Sequence, residues 1–83
     1  MTGWSIVKSG AIAPPSGSAY DAAYAVRLTS DATTRDVVVE FAAPSAVASV
    51  GYAEEVTRPF LRDDEPPRHI VVELGGSVRI VPA

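Results

Sequence analysis

Cysteine is absent from this chain. That excludes disulfides, thiolate metal sites and cysteine nucleophiles, and it fits a reducing compartment. Lysine is nearly absent: Lys8 is the only one, and the six arginines are scattered along the 83 residues. With a net charge of −3 and a pI near 4.9, the chain has no concentrated basic face to displace counterions from nucleic acid. The same balance argues against an anionic membrane surface. The reading therefore expects no nucleic-acid and no membrane partner. Long apolar runs are missing as well. Val37-Val38-Val39 is among the longest, far short of a bilayer span. Met1-Thr2-Gly3-Trp4 lacks the basic start and apolar stretch of a signal peptide, so the cytoplasm is the expected location.

Catalytic motifs are equally sparse. His69 is the only histidine. A base or metal ligand could be assembled from it with Asp63, Asp64 or Glu65, but two prolines intervene and the spacing imposes no geometry. A surface histidine at the start of a strand is the simpler reading, and His69→Ala is expected to leave fold and activity intact. Ser16-Gly17-Ser18 lacks the Gly-Lys-Ser/Thr ending that makes a phosphate-binding loop work. No Gly-x-Ser-x-Gly elbow is present. No catalytic residue, cofactor or metal site is assigned. The acidic run Asp63-Asp64-Glu65, flanked by Arg58, Arg62 and Arg68, reads as a solvated loop before it reads as a docking element.

What is present suffices for a folded core: 47% of the residues are hydrophobic, which speaks against disorder. Alanine and valine dominate them, and the preference for arginine over lysine points to a GC-rich, bacterial genome. The length fits one domain over residues 1–83, with a small core.

Trp4 to Ile12 reads as a first strand broken near Gly10, followed by a loop through Pro14 and Pro15. Tyr20 to Thr29 alternates, with Tyr20, Ala22, Tyr24, Val26 and Leu28 on one face. Arg35 to Ala42 follows, with Val37, Val39 and Phe41 inward. A hairpin placing Leu28 opposite Val37, Val26 opposite Val39 and Tyr24 opposite Phe41 pairs apolar with apolar throughout. Pro44 to about Arg58 reads as the one helix. Ala46, Ser49, Val50, Ala53 and Val56 gather on its inner face, and Pro59 ends or kinks it. Arg68 to Leu74 and Val78 to Pro82 form a second hairpin around Gly75-Gly76-Ser77. It aligns Ile70, Val72 and Leu74 with Pro82, Ile80 and Val78, and sets Glu73 opposite Arg79.

The expected fold is α+β, a small antiparallel sheet of about five strands in the order β-β-β-α-β-β with one helix packed on one face. The expected core is Val26, Leu28, Val37, Val39, Phe41, Val50, Ala53, Val56, Ile70, Val72 and Ile80. One helix leaves a second sheet face, open to solvent or a partner, where Ala23, Ala25, Val38, Val71 and Val81 lie among Asp21, Arg27, Glu40, Glu73 and Arg79. Those five apolar residues, with Trp4 as a terminal anchor, are the candidate interface; an edge strand is the alternative, since the first and last segments can leave unpaired backbone groups.

The leading functional expectation is a non-catalytic protein-interaction module, a homo-oligomer or an accessory subunit, whose partner is itself or another protein. The alternative is a small ligand-binding or enzymatic domain with a helix–sheet pocket near His69. A nucleic-acid-binding regulator ranks third on charge.

Overall fold

The computed structural model describes residues 3–15, 20–42 and 47–82. Five strands form one sheet in sequence order: β1 (Ser5–Ile12), β2 (Tyr20–Ser30), β3 (Thr33–Ala42), β4 (His69–Val72) and β5 (Val78–Ile80). One helix, α1 (Val50–Thr57), lies between β3 and β4 and runs into a 3₁₀ turn at Arg58–Phe60.

The sheet is mixed rather than antiparallel. β1–β2, β2–β3 and β4–β5 are antiparallel, but β3 and β4 run parallel, with Val38 beside His69 and Phe41 beside Val72. The cause lies in the connection. Parallel neighbours need a long crossover, and the segment carrying α1 supplies it between the end of β3 and the start of β4.

β2 and β3 follow the predicted alternation in a register shifted by two residues. Val26 faces Val37, Tyr24 faces Val39, Ala22 faces Phe41, and Leu28 faces Arg35. A two-residue slip keeps every inward side chain inward, so alternation cannot choose between the two registers. The turn chooses. Ser30 and Thr33 close a two-residue loop in which Asp31 takes φ = 55°. Tight hairpins require that left-handed conformation, and aspartate tolerates it. The Thr29 hydroxyl donates to the Thr33 carbonyl at 3.1 Å beside the loop. Ala22, being small, leaves space across from Phe41. The Phe41 ring meets Tyr24 edge-on at 5.7 Å and Tyr52 of α1 at 5.9 Å.

The register shifts between Tyr20 and Ala22, carrying Tyr20 off the predicted apolar face. Its hydroxyl lies 3.5 Å from Arg79 on the opposite side. β1 runs unbroken through Gly10; its irregularity falls between Ile6 and Lys8.

α1 is shorter than the periodicity suggests. Pro44 and Ala46, read as its first turn, lie outside the described residues. The described helix starts after Ser49, whose extended backbone and side-chain oxygen cap it by accepting from the Tyr52 N–H at 3.1 Å. Glu54 and Arg58 approach to 3.8 Å at the expected i,i+4 spacing. Pro59 sits in the 3₁₀ turn, where its missing N–H costs no helical bond.

The buried cluster is Val26, Leu28, Val37, Val39, Phe41, Ala53, Val56, Ile70 and Val72, nine of the eleven residues predicted. Val50 and Ile80 are the exceptions, 43% and 50% exposed. Val50 stands at the first helical position, outside the packed turn. Ile80 points to the side of the sheet predicted for it, but beyond the reach of α1, which lies mainly against β1 and β2.

Candidate functional site

Two features of the described residues carry chemistry or unpaired surface: a buried carboxylate–imidazole pair and the β5 edge.

Register places the pair. On the side of the sheet opposite Val39 and Ile70, rows of side chains cross the strands. One row runs Ile12, Ala23, Glu40, Val71, Arg79, and the next runs Gly10, Ala25, Val38, His69. Glu40 and His69 are diagonal neighbours on the parallel pair β3–β4. The His69 Nε2 meets Glu40 Oε1 in a short contact, with the Glu40 side chain fully buried and His69 about a quarter exposed. The sequence gives Glu40 as a charge on an open face; the structure buries it completely. His69 is correspondingly not a bare surface histidine. It is one of the groups that satisfy a buried carboxylate. A carboxylate bonded to one ring nitrogen fixes the imidazole's orientation and leaves Nδ1 as the second ring nitrogen. That arrangement can position a base or a ligand. It does not complete a metal site: no group of three or more His, Asp or Glu side chains converges among the described residues.

His69 also does not face the helix. It has the parity of Val71, opposite Ile70 and Val72, so the expected helix–sheet pocket near His69 is not formed there. A groove of about 220 Å³ on the His69 side is lined by Lys8, Gly10, Ile12, Ala25, Arg27 and Asp36. It is smaller than the ~300–1,000 Å³ of small-molecule sites. A more open cleft of about 540 Å³ lies at Glu55, Arg58, Pro59, Leu61 and Arg62. His69 lines neither. In the groove, Arg27 grips Asp36 through two bonds of 2.9 and 3.2 Å. Arg27's hydrogen bond holds the Asp36 carboxyl below its ordinary range, against an opposing effect of burial and with a lesser contribution from the arginine's charge. The arginine is shifted up in return, chiefly by the same hydrogen bond.

The predicted interface residues fall into two groups. Ala23 and Val71 are 1% and 0% exposed, so they offer a partner almost no surface. Ala25, Val38 and Val81 are half-buried. Trp4 is tied into the fold: it packs against the core, the Arg35 guanidinium lies 5.9 Å from its ring centroid, and its backbone N–H donates to the Leu61 carbonyl at 2.8 Å. Arg35 in turn donates to the carbonyl of buried Pro66 at 2.8 Å.

Sequence reasoning allowed the last strand as an edge but placed Ile80 in the core, so it did not see the apolar side chains that the β5 edge exposes. The β4–β5 hairpin pairs Ile70 with Ile80, Val71 with Arg79 and Val72 with Val78, two residues off the predicted register. Its loop is Leu74-Gly75-Gly76: the Glu73 N–H bonds the Ser77 carbonyl at 2.8 Å, and Gly76 takes φ = 89°. Glu73 and Arg79 still meet, diagonally, at 3.0 Å. That hydrogen bond raises the Arg79 pKa above its ordinary value.

Hydrogen-bond parity then fixes what β5 presents. The Val81 N–H donates to His69 and the Ser77 carbonyl accepts from Glu73, so odd-numbered residues turn their backbone groups toward β4. Val78 and Ile80 turn theirs outward, and β5 ends the sheet. Their side chains are 43% and 50% exposed, and Leu74 in the adjoining loop is 65% exposed. The opposite edge is blunted. β1 carries Lys8 and a bulge, and the Trp4 bond to Leu61 closes its start. β5 has only its shortness and the following Pro82.

No helix among the described residues is long and apolar enough to cross a membrane. Comparison with known protein families, with curated proteins and with solved structures finds no match to this chain.

Proposed function

We propose that this chain is a non-catalytic protein-interaction module, a homo-oligomer or an accessory subunit, whose docking element is the β5 edge. The supporting observation is the outward set of backbone groups at Val78 and Ile80 beside three exposed aliphatic side chains. Unpaired strand edges template added strands, with backbone bonds giving affinity and alternate side chains giving specificity. This moves the contact from the sheet face favoured from sequence to its edge, because Ala23 and Val71 have almost no free surface.

The test is a photo-reactive amino acid at position 80, with Glu55 as the control position, in cells that make the protein. The reading expects a covalent protein adduct from position 80 and none from position 55. Absence of any adduct from position 80 overturns it.

A small ligand-binding or enzymatic domain is the second reading, favoured by the Glu40–His69 pair alone. It requires a folded His69→Ala protein to lose function, which the first reading does not.

A further inference from the structure

We propose that the occupant of the β5 edge is a second copy of the chain, paired antiparallel about a two-fold axis at Arg79; this rests on the reading of β5 as the docking edge. The register follows from geometry. Val78 and Ile80 present the free backbone groups, as does Pro82 without an N–H. Antiparallel strands exchange bonds between residues that both face the gap. Two-fold pairing of even-numbered residues therefore centres on residue 78, 79 or 80.

Centring on Val78 sets Ile80 against Gly76 in the loop, whose φ of 89° is not that of a strand. Centring on Ile80 aims the Pro82 ring at the Val78 carbonyl of the other copy, where no N–H is available. Centring on Arg79 uses β5 from end to end. Val78 pairs with Ile80 of the second copy and Ile80 with its Val78, making four backbone bonds without a proline.

The side chains agree with that choice. On one side, two valines and two isoleucines that are half-exposed in the single chain meet in cross-strand pairs. On the other, Arg79 meets Arg79. Like charges directly opposite repel, but each arginine already holds Glu73 at 3.0 Å. Two-fold pairing thus assembles a neutral cluster of two guanidiniums and two carboxylates. Two copies of a three-residue strand bury less than the ~1,200–2,000 Å² of stable interfaces, so association is weak and concentration-dependent.

The absence of cysteine makes the test direct. A mixture of Val78→Cys and Ile80→Cys proteins is oxidised at high concentration. Directly bonded residues on paired strands lie about 5.5 Å apart at Cα, within disulfide range. The expected result is a disulfide-linked dimer joining one variant to the other, with neither variant linking to itself. Light scattering supplies the second arm. Arg79→Glu gathers four carboxylates and should abolish the concentration-dependent mass increase of the wild type. The Glu73→Arg/Arg79→Glu double variant rebuilds the neutral cluster and should restore it. Self-linking of Ile80→Cys, no linkage in the mixture, or a double variant that stays monomeric while the wild type dimerises overturns the proposal. Adducts at position 80 with a different protein, and no linkage in the mixture, overturn self-pairing while leaving the docking edge intact.

Discussion

The imidazole of His69 bonds a carboxylate, that of Glu40, which has no exposed side-chain surface. The pair bridges β3 and β4, the parallel junction that joins the β1–β3 meander to the β4–β5 hairpin. Removing His69 takes a hydrogen-bond partner from a buried polar group, which costs on the order of 1–3 kcal/mol. His69→Ala is therefore expected to lower the urea midpoint, contrary to the silence expected from sequence. An unchanged midpoint would show that the carboxylate does not depend on the imidazole.

Phe41 is fully buried and contacts two other aromatic rings. Phe41→Ala is expected to cost about 3–5 kcal/mol, most of the stability of a small domain. Val50→Ala, read as a core change from the helical periodicity, should instead be nearly silent because Val50 is exposed. Thermal melts of the two variants check the contrast.

Val71→Asp separates intrachain burial from an interface. Val71 is buried within the single chain between Glu40 and Arg79, so a carboxylate there loses water beside a second carboxylate, and the arginine opposite already holds Glu73. The variant is expected to unfold rather than to dissociate while folded. Circular dichroism that stays native would contradict the placement of Val71.

Ser49 caps an eight-residue helix through one bond to the Tyr52 N–H. Ser49→Ala should cost about 0.5–2 kcal/mol, read as a lower urea midpoint, and Ser49→Asp should recover most of it.

Asp36 gives a small pH dependence of known sign. Its folded-state pKa is depressed by Arg27, so its stabilising contribution is present above the unfolded carboxyl range and is lost as pH falls through the lower folded value. The pair is about half-exposed, so the effect is modest and weakens with salt. Comparing urea midpoints near neutral pH and below about pH 3 should show less acid destabilisation in Asp36→Asn than in the wild type.

Much of the fold was legible because alternation and periodicity report which side chains face inward. They gave five strands, one helix and most of the core. They are blind to slips of two residues, which is why both hairpin registers moved: Asp31 and Gly76 set the turns, and backbone dihedrals are not written in a hydrophobic pattern. The helix between β3 and β4 did carry the signal for a parallel pair, through the crossover it makes. The site was less legible. Glu40 and His69 are 29 residues apart, and only the parallel register brings them together. Ile80 reads as core by parity; its exposure depends on how far a short helix reaches across five strands.

The central claim, that β5 is a docking edge used by a second copy, is tested most directly by amide hydrogen exchange at Val78 and Ile80 as concentration rises. The account predicts that these two outward N–H groups go from exchange near the free-peptide rate in dilute protein to protected in concentrated protein, while the exposed Gly75 amide stays fast. Rates for Val78 and Ile80 that remain at the free-peptide value at every concentration would contradict it.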